Sequence, residues 1–313
     1  MRDHPQFTAY LALICVCIFW GTTYLGIRIA LESFSPATLV CLRNLLSGTI
    51  TLSVALAIGA RIPKGRDLWA TAGYGLMVIG MGNGALALAE LWIPTGLASL
   101  FVTTSPFWFV GIDALLPTGE RLHGPTVRGL LLGFAGVVFL LAPAVQGMLT
   151  QHSFTAGGGI LLGFLVIQIS GATWAWGSIL QRNRKAAAHP FVIGGVQQLA
   201  TGLAYLLPAA FQTESSHWTS RGIGAIVYLA IFGGIVGYGC YALAISRLPL
   251  AIVSIYTYVN PVVAVFLGWV FYREAFGWRE ATAMVIIFAG VAVVRRASVS
   301  AEKLRAHRAA EGG

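Results

Sequence analysis

The sequence predicts an all-α integral membrane protein, with ten transmembrane helices arranged as two inverted five-helix repeats. Three observations lead there. Of 313 residues, 57% are hydrophobic and only 10% charged, against about 25% charged in a soluble domain. Ten apolar runs are each long enough to become a spanning helix of roughly 20 residues. The two halves of the chain also match each other at an offset of 155 residues. Together these exclude a soluble enzyme, a disordered chain and a nucleic-acid binder. The net charge of +9 does not argue for nucleic acid, because the 20 Lys and Arg fall in short clusters between apolar runs and read as topology signals.

The first run, 8–30, has the position of a secretory signal. It lacks a small-x-small cleavage site and a small residue before Cys15, so it is expected to remain as the first helix. The second, 36–58, opens at Ser35-Pro36, and the third, 68–89, carries Gly80-x-x-x-Gly84. The fourth, 94–116, contains Pro106, and the fifth, 125–145, contains Gly129-x-x-x-Gly133. The second half runs 158–181, 190–211, 222–245, 249–272 and 277–296, with Gly233-x-x-x-Gly237 in the eighth run and Pro261 in the ninth. The repeats thus occupy 8–145 and 158–296, and a polar tail, 297–313, follows. Cys15, Cys17, Cys41 and Cys240 all lie in spans and imply no disulfide framework. Small residues four apart let helices approach closely or slide. The stripe at Gly129 serves either internal packing or self-association, which leaves a monomer or a weak homodimer.

With the N-terminus inside, 15 of the 20 Lys and Arg fall on the cytoplasmic side, including Arg61, Lys64, Arg66, Arg182, Arg184 and Lys185. That asymmetry places both termini in the cytoplasm of a multi-pass protein. The repeat is most visible where residues 80–106 overlie 235–261. Eight of the 27 pairs are identical, among them Gly82/Gly237, Gly84/Gly239, Pro94/Pro249, Ser99/Ser254 and Pro106/Pro261, against about three by composition. An odd number of helices per repeat inverts the second copy. Inverted repeats are the architecture of many secondary transporters, with the binding site between the halves; duplication for stability alone is the alternative.

The ordered series Phe19-Trp20-Gly21-Thr22-Thr23-Tyr24, Ser35-Pro36, Arg43, Gly96-Leu97-Ala98-Ser99, Ser105-Pro106 and Gly119-Glu120-Arg121 resembles an EamA-type domain of the drug/metabolite transporter superfamily. Trp176-Gly177, Ser254, Asn260-Pro261 and Glu274 repeat it, and Gly82-Asn83-Gly84 with Ala89-Glu90 is similar to the YedA-like branch. The resemblance covers roughly 8–296. It implies an inner-membrane exporter of small metabolites, amino acids or drug-like amphiphiles, with a cavity lined by helices 1, 3, 4, 6, 8 and 9. Departures from the family pattern are Trp92-Ile93 before the fourth span and Gln197 opposite Arg43 in the repeat.

Pro106 and Pro261 each remove an amide donor and free the carbonyl of Val102 or Thr257. Broken spans line cavities in transporters, so these kinks point to the substrate site, although plain structural kinks are not excluded by the pattern. The candidate lining is Trp20 and Tyr24 on helix 1, Asn83 on helix 3, and Thr104 and Trp108 on helix 4. Helix 6 adds Trp174 and Ser178, helix 8 Tyr238 and Tyr241, and helix 9 Tyr256 and Asn260. An aromatic wall with few polar groups suits small amphiphiles.

Intramembrane charges are functional candidates by default. Arg43 lies about 10 Å along helix 2 from Pro36 at 1.5 Å per residue, while Arg28 and Glu90 end helices 1 and 3 on the same side. An Arg43–Glu90 pair is one expectation, as a gate or a lock. An unpaired Glu90 would instead permit proton coupling, and Arg43 would anchor an anionic metabolite in a facilitative exchanger. Asp113 is a second carrier candidate or an interfacial acid, and Glu120 and Glu274 are expected to cap the helices that follow them. An enzyme is disfavoured because all six histidines fall in loops or tails, with no H-E-x-x-H or Walker sequence. A channel is disfavoured for want of a charge ring or carbonyl filter. No cofactor or metal is implied. The expected partners are a small-molecule substrate and the lipid bilayer.

Overall fold

The computed structural model describes residues 5–116, 123–151, 157–184, 188–212, 216–248, 253 and 255–311. It is all-helical among them. In order come α1 (Pro5–Leu31), α2 (Pro36–Ala57), α3 (Arg66–Ala89), α4 (Thr95–Leu115) and α5 (Gly124–Gln151). Then follow α6 (Gly158–Arg184), α7 (Pro190–Ala210), α8 (220–247), α9 (Tyr256–Tyr272) and α10 (Trp278–Glu311). Eight of the described helices are long and apolar enough to cross a membrane, and Tyr256–Tyr272 is a shorter apolar helix.

Local chemistry explains where the helices start. Ser35 accepts from the Thr38 amide at 3.2 Å with Pro36 in the first turn of α2. His189 and Pro190 do the same for α7, where Nδ1 accepts from the Phe191 amide at 3.3 Å. Each arrangement satisfies a free amide and uses a proline where no donor is needed. Gly59 and Gly65 turn the chain between α2 and α3 with φ of 81° and 56°, a region that side-chain-bearing residues avoid.

Helices overlie the expected runs, eight of them long and apolar enough to span, and two extend well beyond the expected bounds. α5 runs on to Gln151, beyond 145, and the Thr150 hydroxyl back-bonds to the Gln146 carbonyl at 2.9 Å. α10 continues through 297–311 as helix. Of the expected ninth run, residues 249–252 and 254 lie outside the described residues, as does Glu120.

Helix pairing follows one pattern. α1 packs on α8 and α9, while α6 packs on α3 and α4; α2 lies along α7, and α5 along α10. In hydrocarbon the hydrophobic effect cannot drive such pairing, so small residues do it by close packing. A Cβ on Gly48 would stand 2.6 Å from the Leu199 amide nitrogen, and one on Gly202 2.7 Å from that of Leu45. The Gly129 stripe is used in the same way. A Cβ there would meet the Val294 amide nitrogen at 2.7 Å, and Gly136 faces Ile287 at 2.9 Å. These glycines are occupied by α10 of the same chain, which removes them as a self-association surface. The opposite face of α5 carries Leu131, Phe134 and Val138, more than half exposed, as a lipid-facing side would be.

Candidate functional site

Two helices lose α-helical hydrogen bonding at their centres. Leu76–Gly80 in α3 and Leu229–Val236 in α8 are π-helical, and the 155-residue offset superimposes them. A π segment widens the turn and leaves backbone carbonyls for other donors. Side chains from neighbouring helices supply them. Trp20 Nε1 donates to the Gly233 carbonyl at 3.2 Å, and Tyr205 Oη donates to that of Gly80 at 2.9 Å.

Around the α8 segment the expected aromatic residues gather. The Trp20 ring lies 5.4 Å from Tyr238, 5.2 Å from Tyr241 and 5.2 Å from Tyr256. Gly237 has no side chain because the Trp20 indole fills that space. With its nitrogen turned toward them, the Asn260 amide donates to the carbonyls of Cys17 and Tyr256 at 3.1 Å. Pro261 lies inside a continuous α9 rather than at a break.

α4 is broken, between Val102 and Ser105, beside Pro106. The Ser105 hydroxyl takes the Val102 carbonyl at 2.6 Å, and Thr104 takes that of Phe101 at 2.7 Å. Local hydroxyls therefore cover the backbone that the proline exposes. Here Gln168 of α6, absent from the expected set, is the organiser. Its Oε1 accepts from Trp108 Nε1 at 2.9 Å and lies 3.0 Å from Thr104 Oγ1, whose one proton goes to it or to the Phe101 carbonyl, while its Nε2 is buried with no partner. Nearby, Trp174 packs on Gly82, and the Ser170 hydroxyl donates to the Gly82 carbonyl at 3.3 Å.

The candidate lining thus forms two groups rather than one. Trp20, Tyr238, Tyr241, Tyr256 and Asn260 meet on α1, α8 and α9; Thr104 and Trp108 of α4 gather at Gln168 of α6, and Trp174 of α6 packs on Gly82 of α3. Tyr24 lies instead in the apolar core with Ala89, Ile93 and Phe101. Asn83 and Ser178 are half-buried and join neither group through a hydrogen bond.

The charges do not pair as expected. Arg43, 5% exposed, has no ion pair or hydrogen bond among the described residues, and its guanidinium lies against Gly233 and near Tyr238. Glu90, 0% exposed, has both carboxylate oxygens without a partner. Arg28 reaches Glu90 through its main chain, with Nη1 donating to the carbonyl at 2.7 Å, and stacks 5.7 Å above the Tyr272 ring. An Arg43–Glu90 bridge is therefore absent. Arg43 turns toward α8, where the missing side chain of Gly233 leaves it space.

One end of the bundle is laced across the two halves. Ser33 and Thr219 hydroxyls are 2.6 Å apart, and the Ser33 carbonyl accepts from the His217 amide at 2.8 Å. Glu32 accepts from the Tyr272 hydroxyl and lies 3.5 Å from Arg221. Glu274 was expected to cap the helix after it. Its carboxylate instead accepts from the Thr95 and Gly96 amides at 2.8 and 3.0 Å, capping α4, and Glu280 bonds the Gly277 amide before α10. At the other end Arg182 meets Asp113, and Arg184 meets Asp67, each at 2.9 Å and partly solvent-exposed. Asp113 is thus an ion-pair partner near a helix end.

A model of the EamA-like transporter family matches residues 7–142 and again 159–296. The chain is 31% identical over 297 residues to YedA, an uncharacterized inner membrane transporter of Escherichia coli K12, covering 94% of this chain and 92% of that one. It is 27% identical over 296 residues to a probable amino-acid metabolite efflux pump of Salmonella typhimurium LT2, covering 90% and 92%. A solved crystal structure aligns with a TM-score of 0.65 over 95% of this chain and 98% of its own, at 24% identity, a likeness of fold. With both halves matched and more than nine-tenths of the chain aligned to a named transporter, this protein belongs to the EamA-like transporter family: it is a multi-pass membrane transporter and not an enzyme.

Proposed function

We propose that the protein is a secondary transporter that exports small amphiphilic metabolites across the inner, or plasma, membrane by alternating access. In this reading α1–α10 are ten spans in two inverted five-helix repeats, with both termini in the cytoplasm. The aromatic group of Trp20, Tyr238, Tyr241 and Tyr256 beside the α8 π segment is the observation that carries it. Three tyrosine rings around Trp20, with Tyr241 also against Tyr256 and an Asn amide beside them, supply apolar area with few polar fixings, as small-molecule sites do. The helix pairing supports the repeat reading, because exchanging α1–α5 with α6–α10 leaves the pattern of neighbours unchanged. The Salmonella relative's name, a probable amino-acid metabolite efflux pump, supports the substrate class and the direction.

The laced end carrying Ser33, Glu32 and Glu274 is the outer gate in its closed state. Glu90 is the candidate proton carrier: enclosed without a donor, an ionised carboxylate there would be costly, so it is protonated when this gate is shut and released when it opens. Flux of an aromatic amphiphile into liposomes, with and without an imposed proton gradient, tests the scheme. Saturable flux that a Tyr256→Ala change weakens at least tenfold, and that the gradient drives unless Glu90 is Gln, is expected. Unsaturable flux would overturn the carrier reading, and unchanged flux in Tyr256→Ala the site.

A further inference from the structure

Arg43 is not alone in lacking a partner. On α2, Ser47 and Thr51 follow it at four-residue spacing and so share its face. They are 1% and 7% exposed, and the hydroxyl oxygen of each is buried without a hydrogen bond. Across from them on α7, Gln198 is 2% exposed and its Oε1 is also unpartnered. The α8 π segment closes the third side. A Cβ on Gly233 would stand 3.0 Å from Arg43 Nη2, and one on Gly234 3.2 Å from both Ser47 Oγ and Gln198 Oε1. Buried polar atoms are nearly always satisfied, and a group of orphans calls for an occupant. A guanidinium is the costliest of them to leave bare, and its planar fork of donors matches a carboxylate.

Among the described residues none offers it a carboxylate. Glu32 is engaged by Arg221 and Tyr272, Glu274 by the α4 amides, and Asp67 and Asp113 by Arg184 and Arg182. Glu90 makes no ion pair with Arg43. Gly233 stands between Arg43 and the aromatic group: its carbonyl holds Trp20, and its bare Cα faces the guanidinium. A solute on the rings is thus one residue's breadth from the charge.

We propose that Arg43 anchors the carboxylate of the transported solute while Trp20, Tyr238 and Tyr256 hold its apolar part, which makes aromatic or aliphatic monocarboxylates the preferred class. This rests on the transport reading above. The second half supplies a natural control, since the repeat places Gln197 at the position of Arg43. Gln197 is buried, and its Nε2 is satisfied by Gln181 at 2.7 Å, so this fold accommodates an amide at the symmetry-related place.

Binding of radiolabelled 3-phenylpropanoate and of its uncharged amide, 3-phenylpropanamide, to the full-length protein in liposomes tests the proposal. The wild type should bind the acid at least tenfold more tightly than the amide. Arg43→Gln should bind the two alike with the amide affinity retained, and Arg43→Lys should keep part of the preference. Equal binding of acid and amide by the wild type would overturn the proposal and leave the aromatic site standing, a result that needs no variant to fold. An acid preference that survives in Arg43→Gln would overturn it as well. Failure of the wild type to bind either compound would remove the aromatic site together with this inference.

Discussion

Gln168 shows how much one side chain can organise inside a membrane. Its Oε1 accepts from Trp108 Nε1 beside the break in α4, so Gln168→Leu strands that donor, while the Thr104 hydroxyl keeps the Phe101 carbonyl. A stranded donor costs about 1–3 kcal/mol. The variant should unfold at lower temperature in detergent, and adding Trp108→Phe should cost less than the sum of the single changes; strict additivity would show that the contact carries no energy. Glu274→Ala removes the cap of α4 and should cost about 1 kcal/mol, with Glu274→Gln intermediate because it keeps one acceptor while losing the charge. Thermal unfolding of the two variants checks that order. Neither role was legible in the sequence. Gln168 is the one amide between Gly158 and Gly177 and belongs to no motif. Glu274 bonds the amide of Thr95, 179 residues away, a distance that no local capping rule reaches.

At the scale of elements, glycine decides which helices touch. Gly129, Gly133 and Gly136 bring α5 against α10, where Gly129 faces main chain rather than a movable side-chain tip. Gly129→Leu should therefore force the helices apart and cost about 1–3 kcal/mol, as overpacking does. Thermal unfolding measures the loss, and light scattering should find the mass in detergent unchanged; a fall from dimer to monomer would mean that the stripe faces a second copy. The glycines of α3 and α8 were visible as repeated motifs, yet their use was not. Gly82 accommodates Trp174, Gly233 faces Arg43, and Gly237 accommodates Trp20. The π segments were hidden for a plain reason: α- and π-helical turns of apolar residues have the same composition. The aromatic group was legible because Trp20, Tyr238, Tyr241 and Tyr256 lie on the very helices that the family resemblance names. Tyr24 shares the periodicity of Trp20 on α1, but one turn further along it meets the apolar core.

For the whole molecule, composition alone was enough to set the class, since a chain with 10% charged residues has too little polar surface to be soluble. Charge asymmetry is what supports the proposed orientation, with Arg61, Arg66, Arg182 and Arg184 at the end opposite Ser33 and Glu274. A cysteine replacing the exposed Gln151 at the end of α5 should be labelled by an impermeant reagent in intact cells; protection until lysis would reverse the assignment. In the proposed alternating access, the laced end must open for solute to pass. Ser33 and Thr219 hydroxyls stand 2.6 Å apart across the two halves, so a Ser33→Cys/Thr219→Cys pair, in a background without the four native cysteines, should form a disulfide on oxidation. Transport in proteoliposomes should cease as the bond forms and return on reduction. Undiminished transport by protein that is fully cross-linked would contradict alternating access through this gate.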